Sequence, residues 1–212
     1  MSECSFSLKH YRDTLIRYQD SGYVYLSMLD DPLSYNKSIV MSHDVDFDPA
    51  LALNMARMEF DLGVKSTYFF RLGAKYYNLL SQPAKEAVDN ISKMGHGVGL
   101  HLESIGLNSI LEEEHVADLL QICNRWVHPK FEYFNVHEPA RTSVIFGEIT
   151  ESLGSKDRRP ILSKHLASCK YISDSGARWR EGCFCQHIDR HKKLLVLTHP
   201  FWWYKNSPCE NY

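Results

Sequence analysis

Two carboxylates follow an apolar segment in the stretch SHDVD, residues 42–46. Asp44 and Asp46 are two residues apart, so in an extended segment their side chains point to the same side. Two carboxylates on one side repel, and one would have to protonate unless a cation lies beside them. Helix capping explains Asp48, which precedes a proline, better than it explains the other two. The stretch therefore predicts a divalent metal site in which one carboxylate binds the ion and the other is free to act as a general base.

Ionisable or metal-liganding side chains also follow the other predicted strands. In parallel α/β folds the carboxyl ends of the strands meet at one rim, so we expect these groups to converge there. Carboxylates and imidazoles without thiolates suit Zn, Fe, Mn, Co or Ni. The side chains in question are Arg71, His101, Glu103, His137, Glu138, Asp174 and His199.

Alternating helices and strands must position these groups. Helices are predicted over 5–20, 49–62, 81–94 and 109–127, and strands in GYVYLSML, SIVMS, VKSTYFF, GVGL, FEYFNV, KYIS and LLVLT. This alternation favours a parallel sheet with crossover connections. The predicted fold class is α/β, a distorted parallel (β/α) barrel of about seven strands, with an open doubly wound sheet as the alternative. The 212 residues suit a single domain, 1–212, with a lead-in over 1–37 and the barrel over 38–203.

Composition excludes several classes of function. The net charge of −2 and the isoelectric point of about 6.6 argue against a nucleic-acid partner. No apolar run approaches the roughly 20 residues of a membrane span. The first residues do not resemble a signal peptide, so a cytoplasmic location and reduced thiols are expected. Cys183 and Cys185 lack the two-residue gap usual in structural zinc sites, and we interpret them as ordinary residues rather than as a second metal site.

Several of these segments resemble motifs of the polysaccharide deacetylase family, the NodB-homology or carbohydrate esterase family 4 group. SHDVD resembles the motif that ends the first strand of that family, and GVKSTYFF resembles the segment after the next helix. MGHGVGLHLE resembles the family segment whose last histidine binds the metal. SDSGARW lies where a motif with an Asp and a Trp is expected, and LLVLTHP resembles the closing motif with its general-acid histidine. The resemblance spans about residues 38 to 203 and implies a NodB-like barrel.

The resemblance also implies roles for individual residues. Asp46 and His101 would bind the metal, and Asp44 would be the catalytic base, although the D-x-D spacing leaves the assignment of the two aspartates open. Ile105 stands where the family has a second metal-binding histidine. His137, in NVHEP, is the preferred third ligand, with His43 and Glu103 as alternatives.

The remaining predicted roles concern the acid and the substrate. His199 would be the general acid, steered by Asp174. Arg71, Trp179 and Trp202 are candidate substrate-binding residues, since a guanidinium can orient a sugar or carboxylate and an indole can stack on a sugar ring.

Together these features predict a metal-dependent hydrolase of a C–N bond, with one divalent ion, zinc in the first place and Co, Ni, Mn or Fe as alternatives. N-deacetylation of an amino sugar or a surface-polysaccharide precursor is the preferred reaction, and a nucleotide-linked or lipid-linked precursor suits a cytoplasmic enzyme. Hydrolysis of a ureide, imide or formamide is one alternative. A catalytically silent carbohydrate-binding protein is another, and the sequence leaves the oligomeric state open.

Overall fold

Four helices and seven strands alternate along the chain in the computed structural model, which describes residues 4–103, 113–129, 131, 134–137 and 168–212. The helices are α1 (Leu8–Asp20), α2 (Pro49–Asp61), α3 (Gln82–Lys93) and α4 (Glu113–Trp126). The strands are β1 (Val24–Leu26), β2 (Ser38–Val45), β3 (Thr67–Arg71), β4 (Gly97–Leu102), β5 (Phe134–Val136), β6 (Lys170–Ser173) and β7 (Lys193–Thr198).

All seven strands belong to one parallel sheet, in which six follow the order β6-β7-β2-β3-β4-β5 and β1 pairs with β2 beside that order. Strand β1 pairs with residues 38–40 of β2. On the same side of β2, residues 42–45 pair with β3. The sheet curls into a half-barrel with flanking helices. The predicted α/β fold class, a distorted parallel barrel of about seven strands, is thereby confirmed.

Helix α2 begins directly after the carboxylate stretch because its first turn is capped. The Asp48 side chain accepts a hydrogen bond from the Ala50 amide at 2.7 Å, and Pro49 occupies the first helical position. Gly63 follows the helix with φ of +68°, a conformation that a side chain disfavours. The predicted capping role of Asp48 is confirmed, and the cap sets the direction of the chain as it leaves the rim.

Strand alternation sorts the side chains into two faces. Ile39 and Met41 of β2 pack with helix α1, whereas Val40 between them packs against Phe69 and Leu195 on the other face. Counting along the same alternation, Asp44 continues the face of Val40 and His43 continues the face of Met41. The register then aligns inward positions of neighbouring strands, with Arg71 beside His101 and His101 beside Asn135. The polar residues at these strand ends therefore meet at one rim.

Candidate metal centre

One carboxylate and two imidazoles come together at this rim. Asp46, His101 and His137 each offer a ligand atom, and the three atoms lie within 4.8 Å of one another. The Asp46 Oδ1 atom is 3.5 Å from His101 Nε2 and 3.7 Å from His137 Nδ1, and the two nitrogens are 3.0 Å apart. Two ligands of a tetrahedral zinc with bonds of about 2.1 Å lie about 3.4 Å apart, so this spacing fits a shared ion.

The Asp46 carboxylate gives an independent indication that a cation belongs here. Asp46 is 7% exposed, and its Oδ1 atom has no hydrogen-bond partner among the described residues. A buried ionised oxygen without a partner is unfavourable by several kcal/mol. The Arg71 guanidinium approaches it no closer than 3.6 Å. A divalent ion shared with the two histidines would remove this penalty, so the residues present fit a metal.

Burial keeps His137 suited to metal binding. Removal from water lowers the pKa of His137, and the neighbouring His101 and Arg71 add to this effect, although Asp46 opposes it. A neutral imidazole at pH 7 presents a free lone pair, which a metal ligand requires.

Asn135 links the metal cluster to the second carboxylate. Its Nδ2 group donates to Asp44 Oδ1 at 2.8 Å, so its Oδ1 atom accepts the Nδ1–H of His101 at 2.6 Å. The His101 Nε2 lone pair is then directed at Asp46 and His137. The role of Asn135 escaped the sequence analysis, and the available signal was its position two residues before His137, which places it on the same face.

Asp44 lies beside the cluster without belonging to it. Its Oδ2 atom is 3.7 Å from His101 Nε2, and the side chain is buried. The structure therefore brings the two aspartates of the D-x-D stretch to the same place, one among the imidazoles and the other next to them.

A second imidazole system flanks the cluster. His199 Nδ1–H donates to Asp174 Oδ1 at 2.6 Å, and the other Asp174 oxygen accepts from the His199 amide at 3.2 Å and from Trp203 Nε1 at 3.0 Å. Burial by itself would lower the pKa of His199, but the charge and hydrogen bond of Asp174 outweigh it and raise the pKa to about 9. The His199 Nε2 atom lies 3.9 Å from Asp46 Oδ2. A protonated imidazole thus stands next to the candidate metal site.

The alternative ligands are held by other partners. His43 faces the helices, with Nδ1 2.7 Å from the Thr198 hydroxyl and Nε2 2.9 Å from the buried Glu59 carboxylate. Glu103 forms a two-pronged ion pair with Arg71, with one contact of 2.9 Å. Of the candidates for a third ligand, the structure therefore places His137 in the cluster. Ile105 and Glu138 lie outside the described residues.

An aromatic groove of about 670 Å³ opens beside the rim. Trp202 lies on it, 6.3 Å from His199 between ring centroids, and its buried Nε1 atom has no partner among the described residues. Trp179 instead packs among Phe6, Phe184 and Trp203. The other residues that line the groove were not predicted from the sequence, and they are Phe47, Asp48, Tyr76, Tyr77, Phe201, Asn211 and Tyr212.

Comparison with known proteins gives a likeness to a solved structure. No family model matches the chain, and no curated protein matches it. A solved structure described as a family 4 carbohydrate esterase from Bacillus anthracis is 15% identical, with a TM-score of 0.47, over 90% of this chain and 76% of that one. No helix in the described part of the chain is both long and apolar enough to cross a membrane.

Proposed function

We propose that this protein is a metal-dependent hydrolase of amide bonds that removes the N-acyl group of an amino sugar or of a surface-polysaccharide precursor. The observation that carries the proposal is the cluster of buried Asp46, buried His101 and half-buried His137, flanked by a second carboxylate, Asp44, and by an imidazole paired with a carboxylate. That set supplies a metal site, a base and an acid within one rim.

Asp46, His101 and His137 would hold the ion. When bound, a divalent ion supplies Lewis acidity, which polarises an acyl carbonyl and lowers the pKa of water. Asn135 keeps His101 Nε2 directed at the space between Asp46 and His137, which the ion would occupy, and Arg71 with Glu103 borders the same space. These contacts fix the ligands before substrate arrives.

Asp44 is the proposed general base. Its Oδ1 atom is tied to Asn135, which leaves Oδ2 to accept a proton from the attacking water. The water oxygen forms the new bond to the acyl carbon, and the C–N bond breaks. Held in place beside the cluster, Asp44 needs no rearrangement to act.

His199 is the proposed general acid. Its Nδ1 proton is engaged by Asp174, so the proton on Nε2 is the one available to the leaving nitrogen. With a pKa of about 9, His199 is protonated at neutral pH, as an acid must be. The products are a free amine and a carboxylate, acetate in the preferred case.

The aromatic groove supports a sugar as the substrate. Aromatic faces stack on the apolar faces of sugar rings, and Phe47, which follows Asp46 directly, lies 5.5 Å from Trp202 between ring centroids. A ligand in this groove therefore adjoins the metal site.

Asp44→Asn tests the proposal directly. We expect turnover to fall by about 10²- to 10⁴-fold, because the amide cannot take the water proton, while the zinc content stays unchanged. The measurement is release of acetate from N-acetylated mono-, oligo- and nucleotide-linked amino sugars, together with metal analysis. Asp61→Asn is the matched control, at an exposed aspartate at the end of α2 away from the rim.

Two outcomes would count against the proposal. Near-native turnover of Asp44→Asn would remove Asp44 as the base. If zinc- or cobalt-loaded wild-type protein hydrolysed neither the amino sugars nor a panel of ureides, imides and formamides, the hydrolase proposal would be wrong. Turnover confined to the second panel would keep the mechanism and change the substrate.

A further inference from the structure

A second group of metal-liganding side chains lies away from the rim. Among the described residues, Cys4, His10, Cys183 and Cys185 each offer one ligand atom, and all four atoms lie within 4.8 Å of one another. The Sγ atoms of Cys4 and Cys185 are 3.4 Å apart, and His10 Nε2 is 3.3 Å from Cys183 Sγ. The proposed hydrolase uses none of these side chains.

The composition and spacing of this group fit zinc. Three cysteines and one histidine form one of the common ligand sets of structural zinc sites, and Zn–S bonds are about 2.3 Å long. In a tetrahedron with such bonds two sulfurs lie about 3.8 Å apart, close to the separations found here. Thiolates, moreover, select zinc over the harder divalent ions.

Burial marks the group as a closed site rather than a catalytic one. His10, Cys183 and Cys185 are 5%, 3% and 7% exposed, and only Cys4 lies at the surface. Four protein ligands complete a tetrahedron and leave no position for substrate. The Gln186 amide lies 3.5 Å from the Cys4 sulfur and donates to it, as outer-shell donors do around metal-bound thiolates.

The group joins two segments that are far apart in the sequence. Cys4 and His10 flank the start of α1, whereas Cys183 and Cys185 lie 173 and 181 positions further along from His10 and Cys4 respectively. The adjoining segments already meet through the Leu8 amide and the Tyr204 carbonyl, 2.7 Å apart. An ion shared by the two segments would stabilise the folded protein, because its four ligands come together only in the folded state.

We propose that Cys4, His10, Cys183 and Cys185 bind one structural zinc ion, which fastens the N-terminal segment to the segment before β7. Binding forms three Zn–S bonds and one Zn–N bond, and the three thiols release their protons to solvent, with no change of oxidation state. We call this proposed four-ligand site the zinc clasp. It is independent of the proposed hydrolase activity.

Metal analysis of protein purified under reducing conditions tests the clasp. We expect two zinc ions per wild-type chain, one for each cluster. The double variant Cys183→Ser, Cys185→Ser should keep one, whereas the matched control Cys209→Ser, at an exposed cysteine outside the cluster, should keep two. His101→Ala should lose the other ion and retain the clasp.

Cobalt substitution distinguishes the two sites by their ligands. Cobalt bound by thiolates gives a sulfur-to-metal charge-transfer band, which a site of one carboxylate and two imidazoles does not give. We expect this band in wild type and in His101→Ala, and X-ray absorption of the zinc protein should show sulfur at about 2.3 Å. These wild-type measurements decide the question even if the double cysteine variant does not fold.

Three results would overturn the clasp. Equal zinc content in wild type and the double variant would exclude these cysteines as ligands. The same holds for cobalt-loaded wild type without a thiolate band. Mass spectrometry showing a Cys4–Cys185 disulfide in metal-free protein that takes up no zinc after reduction would replace the clasp by a cross-link of sulfur alone.

Discussion

At the scale of single residues, two neighbours on β2 have opposite surroundings. Asp44 faces the rim and accepts from Asn135, whereas His43 faces the helices and contacts Glu59 and Thr198. The cause is the two-residue period of a strand, which sends adjacent side chains to opposite faces. The same period brings Asp46 back beside Asp44, as the D-x-D spacing predicted.

Asp174 sets the charge of His199, and Asp174→Asn tests this. The neutral amide removes the charge that raises the pKa of His199, so burial lowers that pKa from about 9. A general acid works in its protonated form, so the basic limb of the pH profile of kcat should move to lower pH. The turnover at neutral pH should fall by about 10²- to 10⁴-fold.

The control for this change is Asp189→Asn, at an exposed aspartate paired with Lys37. Its pH profile should match that of the wild type. If the basic limb of Asp174→Asn stayed in place while turnover fell, Asp174 would act on structure alone and His199 would not be the acid.

At the scale of elements, the alignment of β4 with β5 assembles the metal ligands. His101 pairs in register with Asn135, and the backbone amide of His137 donates to the Leu102 carbonyl at 2.8 Å. Residues from two strands are thereby held at a fixed separation. Because these residues lie on the inward face of the sheet, their side chains point to the same place. A slip of β5 by one residue would turn Asn135 and His137 away from His101.

Asn135→Ala tests the contribution of this strand pair. Loss of the amide frees the His101 ring and leaves Asp44 without its donor, so metal affinity at the rim should fall by about 10- to 100-fold. Competition with a chelator measures the affinity, and Asn90→Ala on the exposed face of α3 is the control. An unchanged affinity would show that His101 is oriented by other contacts.

At the scale of the whole molecule, one buried carboxylate joins parts of the fold that are distant in sequence. Glu59 of α2 is fully buried and accepts from Tyr11, Tyr68 and Ser66, with His43 2.9 Å away. Burial by itself would raise the pKa of Glu59, but the histidines His43 and His96 and the Ser66 hydroxyl lower it to about 2. Helices α1 and α2 are thereby tied to β2 and β3.

Glu59→Gln should destabilise the whole fold. Removing one partner of a buried charged network is unfavourable by about 3–5 kcal/mol, which chemical denaturation at neutral pH would measure. Because the folded pKa is below the ordinary value of 4.5, ionised Glu59 stabilises above that pH and loses its effect as pH falls towards about 2.

The destabilisation of Glu59→Gln relative to wild type should therefore shrink between pH 4.5 and 2. The exposed Glu86→Gln is the control, with an unfolding free energy close to that of wild type. A constant difference across this pH range would mean that Glu59 is not ionised in the native protein.

The sequence by itself determined the local features of this protein, because capping and alternation depend on residues close in the chain. Asp48 as a helix cap, the α/β class and the polar residues at strand ends were all readable in this way. The position of His137 at a strand end made it the preferred third ligand, and only the fold separates it from His43.

Tertiary structure decided the contacts between residues distant in sequence. Strand order and register bring Asn135 between His101 and Asp44, and the packing of α1 against the segment before β7 brings His10 to Cys183. Cys183 and Cys185 lack the two-residue gap of common zinc motifs, so the sequence indicated ordinary residues. Their neighbours in space lie more than a hundred positions away in the sequence. Such contacts follow from how elements pack, which no short stretch of sequence encodes.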